Sequence, residues 1–431
     1  MSEFLSLLRR IGPAIVVAAV VLGPGSIVSA SRVGCQYGYQ LLWLVPLASL
    51  LMISLTVTSM AIGVSQRETP CGAVASAFGR PIAWLVGGAM LVAITMFQAS
   101  NNNAMLMAAE GFMDPVDTQA GQPAAASALS SRLVRTAVPL VFNFAIIGLL
   151  WASRRDLYRV IEKTMAVLVA AMVVAFAINL WFASPTLNGI LSGLIPSLPR
   201  GSTAEGIDTV SWMASGALVA TTFSVAGAFY QSYQVREKGW NVSDFRLGVL
   251  DTFVGICSLG LITMMILITG AAALHLKVAP ESLTDASAVA RALDPLFGDA
   301  ARYVFAAGVL AGAVSSFVVN ALIGAVVFCD ALGMPSKLSS IHVRLTTVGV
   351  LLLGWVVAAI GVLTEVPLAD FIVVAQSLTV IAFPALAITI IWQARRIQTG
   401  LLPVWVTPLN YLGLAVTLLL SVRTIMGLIG T

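Results

Sequence analysis

The sequence predicts an all-α polytopic membrane protein of about eleven spanning helices, the first and the sixth of them broken. Composition is the first reason. Of 431 residues, 59% are hydrophobic and only 10% charged, with a mean hydropathy of +0.96, whereas a soluble domain is nearer one quarter charged. Spacing is the second, because the apolar residues fall into runs of about 20, the length that crosses a bilayer core. The third is that two of these runs are interrupted near their middle by Gly, Pro, Ser and Thr. Such irregular backbone is tolerated at membrane depth only where it is buried in protein or lines a cavity.

The first run carries the clearer interruption, Gly23-Pro24-Gly25-Ser26, followed by Ile27-Val28-Ser29-Ala30-Ser31-Arg32. Proline lacks an N–H and clashes with the preceding turn, and glycine adds backbone freedom. The pattern predicts two half-helices, residues 12–22 and 27–38, joined by an open linker. Further spans are predicted near 41–64, 83–112, 134–152, 160–183, 209–235, 247–275, 300–329, 345–364, 369–393 and 402–428. The sixth holds a small, polar run, Thr221-Thr222-Phe223-Ser224-Val225-Ala226-Gly227-Ala228, five spans after the first break. That offset suits two five-helix inverted repeats, about 12–183 and 209–393, with an extra helix at 402–428. Paired broken helices in inverted repeats form a central binding site; small residues alone also mark close helix packing.

With the N-terminus cytoplasmic, fifteen Lys and Arg flank the inner side and seven the outer, Arg32 lying within a span. This asymmetry places the N-terminus inside and the C-terminus outside, in a prokaryotic inner membrane. Cys35, Cys71, Cys257 and Cys329 are scattered without metal-ligand spacing, and His275 and His342 lie near helix ends. No nucleophile–base pair or phosphate loop is evident. A transporter is therefore expected rather than an enzyme, as a monomer in the lipid bilayer, with no cofactor and no nucleic-acid partner.

Several of these stretches resemble the natural resistance-associated macrophage protein (Nramp) family of divalent-metal transporters. Gly12-Pro13-Ala14, the break at 23–26 and Gln36-Tyr37-Gly38-Tyr39-Gln40-Leu41-Leu42-Trp43 fall in register with the family's first helix. Tyr158-Arg159-Val160-Ile161-Glu162-Lys163, Asn188 to Pro196, Ser315-Ser316, and Val374-Ala375-Gln376-Ser377 through Pro384 resemble its later helices. The resemblance covers nearly the whole chain and implies a LeuT-like fold. It departs where the family's chemistry lies. The family's Asp and Asn metal ligands at the first break correspond to Gly23 and Ser26, and its Met-Pro-His on helix six to Val225, Ala226 and Gly227. Its acidic pair on helix three corresponds to the region Phe97 to Asn103, which holds Asn101, Asn102 and Asn103 instead.

A divalent cation normally needs hard oxygen donors, at least one of them a carboxylate. No acidic residue lies near either break, since Glu110 and Asp114 sit at one end of helix three and Asp251 in helix seven. The half-helix starting near Ser26-Ile27 is expected to offer free N–H groups and the positive end of its dipole to an anion, with Ser26 and Ser29 as hydroxyl donors. The substrate-binding set is thus Gly23, Pro24, Gly25, Ser26, Ile27, Ser29, Val225, Ala226, Gly227 and Gln376, the last placed there by the resemblance. Arg32, Asn101, Asn102 and Tyr230 are candidates for the access path, each with a packing alternative; for Arg32 it is anchoring at a helix end. The function read from these residues is secondary transport of a small anion such as bicarbonate, coupled to Na+ or H+ or uncoupled. The alternative is a divalent cation, Mg2+ or Mn2+.

Overall fold

The computed structural model describes residues 13–21, 23–112, 125–152, 157–197, 216, 218–283, 289, 299–366, 368–397 and 400–429. The described chain is helical apart from turns and short connections. The first predicted span is two helices, α1 (Pro13–Val21) and α2 (Pro24–Tyr37). Then come α3 (Leu44–Ser65), a short α4 (Pro70–Phe78), α5 (Arg80–Phe112), α6 (Ala125–Ala152), α7 (Leu157–Ala183) and a short α8 (Leu187–Gly193). In the sixth span residues 218–222 are helical, and after a break at Phe223-Ser224 the chain resumes as α9 (Val225–Glu237). The rest is α10 (Phe245–Ala273), α11 (Asp299–Leu332), α12 (Ile341–Leu363), α13 (Leu368–Ala394) and α14 (Val406–Ile429).

Eight helices among the described residues are long and apolar enough to cross a membrane. The remaining three of the eleven predicted spans are the two broken helices and α13, whose described apolar part is Leu378–Ala394. Burial sorts the spans by position. The apolar windows of α3 and α11 are 83% buried, so they form the centre, while that of α14 is 22% buried and lies at the periphery. The 33-residue α5 packs against α11, α13 and α12. Opposite it, α10 runs along α1, α2 and α3 and cradles the broken first helix.

Two glycines make that cradle possible. A Cβ on Gly34 would sit 2.3 Å from the Leu267 carbonyl oxygen, and one on Gly270 would sit 2.8 Å from that of Ser31. The backbones of α2 and α10 therefore touch directly, a close approach that only small residues permit. At the end of the bundle away from the N-terminus, α8 docks on the turn that follows α2. Trp43 donates its backbone N–H to the Gly193 carbonyl at 2.9 Å and its indole N–H to the Ser197 carbonyl at 3.1 Å.

Candidate functional site

The first break is shorter than the sequence suggests. Pro24, expected in an open linker, is the first residue of α2. Its fixed φ suits that position, where a helix has no use for the N–H that proline lacks. The amide hydrogens expected to face a ligand are largely spent. Ser26 and Ile27 both donate to the Gly23 carbonyl, at 3.0 and 3.4 Å, and Gly23 donates to the Val21 carbonyl at 2.8 Å. The Ser26 hydroxyl, expected as a substrate donor, instead donates to the Val21 carbonyl at 2.6 Å. The physical reason is that the break repairs itself locally: the Val21 carbonyl, at the end of α1, takes both the Gly23 N–H and the Ser26 hydroxyl on its two lone pairs.

The second break is capped by a side chain. Ser224 is the N-cap of α9, with extended backbone (φ −82°, ψ 95°), and its hydroxyl accepts from the Gly227 N–H at 3.3 Å. The two breaks meet at Ser26, whose hydroxyl also lies 3.4 Å from the Thr221 carbonyl. Val225, Ala226 and Gly227 are all buried in the first turn of α9. A Cβ on Gly227 would lie 3.2 Å from Val17, so this turn packs against α1. Val225 and Ala226 offer only apolar surface, and neither can replace a soft sulfur ligand.

What faces Gly23 comes from other helices. A Cβ there would lie 3.0 Å from the Ser316 hydroxyl oxygen of α11 and 3.6 Å from Oδ1 of the Asn101 side chain of α5. Asn101 donates to Ser316 Oγ at 3.2 Å and to Gln98 Oε1 at 3.3 Å, while Gln98 donates to the Phe317 carbonyl at 2.6 Å. Asn320, one turn along α11, also donates to Ser316 Oγ at 2.9 Å, and its own Oδ1 finds no protein partner among the described residues. The space that a residue-23 side chain would fill is thus bordered by a buried, neutral amide and hydroxyl cluster.

The asparagine run divides by role. Asn101 borders the break, whereas Asn102 is turned to α6, where its Oδ1 accepts from Asn143 at 2.7 Å, so it acts as an interhelical clamp. Arg32 is half-buried and donates from Nε to the Leu283 carbonyl at 2.7 Å, which anchors α2 to the connection after α10. Ile27 and Ser29 are buried in α2. Tyr230 is buried one turn past the second break and stacks on Tyr233 with ring centroids 6.3 Å apart. Gln376 lies in α13, with its side chain outside the described residues. Among the described residues no three His, Cys, Asp or Glu side chains converge as a metal centre. Gln98 and Asn320 were not predicted; their signal was an amide within an apolar helix, at spacings from Asn101 and Ser316 that share a helical face.

Two broken helices that meet inside a helical bundle are the arrangement that membrane transporters of this architecture share. The chain belongs to the Nramp family, since the family model described as "Natural resistance-associated macrophage protein-like" matches residues 14–429. A curated relative, the divalent metal cation transporter MntH of Klebsiella pneumoniae strain 342, is 26% identical over 327 residues, 74% of this chain and 71% of the relative. The MntH of Erwinia tasmaniensis is 26% identical over 360 residues, 82% and 81% of the two chains. Among solved structures, a mutant manganese transporter of Eremococcus coleocola superposes with a TM-score of 0.80 at 18% identity, covering 99% of this chain and 89% of that one. MhsT in complex with L-phenylalanine superposes with a TM-score of 0.61 at 16% identity, covering 96% and 98%. At these identities the solved structures speak for the fold alone, which is the LeuT-like one.

Proposed function

We propose that this chain is a secondary transporter that moves a small inorganic ion through the junction of its two breaks. We further propose that the ion is a divalent metal cation, Mg2+ or Mn2+, carried with much of its water shell. The observation that carries this reading is the neutral cluster of Asn101, Ser316 and Asn320 beside Gly23. It mixes donors and acceptors, which suits water better than a bare ion of either sign. Mg2+ sheds its water reluctantly and is often held through it. The curated relatives, both named divalent metal cation transporters, support the cationic sign.

The second reading is a small anion such as bicarbonate. It is favoured by the lack of any carboxylate among the residues that the structure gathers at the break. Against it, the amides of Ser26 and Ile27 and the Ser26 hydroxyl are already engaged. Coupling to H+ or Na+ is compatible with either reading, and the excess of basic residues on one side supports an N-terminus in the cytoplasm. Flux into proteoliposomes separates the two signs. The cation reading predicts saturable Mg2+ and Mn2+ uptake without uptake of labelled bicarbonate. Bicarbonate uptake with no flux of either cation would replace it by the anion reading.

A further inference from the structure

The strongest polar cluster outside the breaks lies at the end of the bundle where α1 begins, and it converges on the connection between α3 and α4. Asp330, in the last turns of α11, accepts from the Thr69 hydroxyl at 2.6 Å, the Cys71 N–H at 3.0 Å and the Tyr233 hydroxyl at 2.7 Å. Three elements are thereby tied to one carboxylate. Charge-assisted bonds of this kind are roughly twice as strong as neutral ones. Arg236, one turn beyond Tyr233 on α9, donates to the carbonyls of Gln66, Arg67 and Glu68. A cation at that place also suits the C-terminal end of α3. From α13, Gln393 donates to the Pro70 carbonyl at 3.0 Å, and Gln66 donates back to the Gln393 carbonyl at 3.1 Å.

The same half-helix holds two buried amide side chains that lack partners among the described residues. Gln231 and Gln234 are fully buried, and all four of their polar side-chain atoms find no protein partner among the described residues. They share a stripe with Gly227 at i, i+4 and i+7, and Gly227 packs against Val17 of α1. Buried amides without partners make this packed arrangement costly, and water would satisfy them if α9 and α1 separated. The bonds that hold α9 in this position are those of Asp330 and Arg236, which tie it to α11 and to the connection after α3.

We infer that Asp330, Tyr233, Thr69 and Arg236 form a latch that closes the N-terminal end of the ion pathway. Its release lets water and the ion reach the Gly227–Gln231–Gln234 face of α9. Asp330 and Tyr233 are positioning residues: they hold α9 and touch no ion. The inference rests on the reading that an ion passes the breaks. A readout that needs no substrate separates its failure from the failure of that reading.

That readout is the reaction of a cysteine at position 234 with a charged maleimide, in the full chain reconstituted in liposomes. Gln234→Cys is placed in a Cys257→Ser background, since Cys257 is the exposed cysteine and the other three are buried. Cys71 lies against the latch, its backbone N–H bonded to the Asp330 carboxylate, so it is replaced by alanine in the same background and position 234 is the reporter. Tyr233→Phe removes one hydroxyl and keeps the ring, and the latch predicts that labelling at 234 rises about tenfold with it. Asp330→Asn is predicted to raise labelling further, while Ser232→Cys, on the face turned to Gly63 of α3, stays slow in every background. Unchanged labelling in Tyr233→Phe would overturn the latch, even if that variant melted earlier, because a mere structural brace would lower stability without exposing this stripe. Should Asp330→Asn fail to fold, the Tyr233→Phe result stands alone as the test.

Discussion

Around Gly23, the polar side chains brought together by α5 and α11 are Gln98, Asn101, Ser316 and Asn320, all neutral. At the N-terminal rim, Asp330 and Arg236 bind the connection after α3, and Lys238 pairs with Glu162 at 2.6 Å across α9 and α7. The difference follows from what each region must do. A neutral amide can exchange a protein partner for water at little net cost, whereas a buried charge fixes its surroundings because leaving it unpaired is expensive. The centre can therefore be wetted by a passing ion, and the rim can be held shut.

The largest effect should come from placing a charge where the centre is neutral. Gly23→Asp brings a Cβ to 3.0 Å from Ser316 Oγ and buries a carboxylate among neutral groups, with no cationic side chain among the described residues that border the site. A loss of about 3–5 kcal/mol is expected, read as a large drop in the unfolding temperature. Adding Ser316→Ala makes room, and Mn2+ should then stabilise the double variant more than the parent at the same concentration, because a carboxylate supplies the missing hard ligand. A Gly23→Asp chain as stable as the parent without metal would remove the contrast between centre and rim.

A smaller effect is expected where the first helix is pinned. Asp251 of α10 is fully buried and accepts the Ala14 N–H at 2.8 Å, which satisfies a backbone donor in the first turn of α1. Asp251→Asn keeps the shape and removes the charge, so a loss of about 1–3 kcal/mol in denaturant unfolding is expected. No loss would mean that α1 is held by its apolar packing alone.

The sequence carried most of the fold and part of the site. Gly23-Pro24-Gly25 was legible as a break because proline and glycine act through their own backbone, whatever surrounds them. The place of the second break within Thr221–Ala228 was not, because it depends on Ser224 capping α9 and on Thr221 meeting Ser26 from another helix. Asn101 stood out as an amide in an apolar span, but its partner Ser316 is 215 positions away in sequence. The expectation of free amides at Ser26 and Ile27 failed because a carbonyl three and four positions back, that of Gly23, takes up both hydrogens, which no residue pattern reveals. Arg236 and Asp330 read as ordinary charges at helix ends. Only the structure brings them to the same short connection.

The neutral centre is tested most directly by titrating the purified protein with Mg2+ and Mn2+ calorimetrically under the same conditions. Amides and hydroxyls that hold an ion through its water should bind both weakly, at roughly 0.1–1 mM, and within about tenfold of one another. Binding of Mn2+ a hundredfold or more tighter than Mg2+ would require a soft ligand or a carboxylate at the site, and would contradict a centre built from Asn101, Ser316 and Asn320.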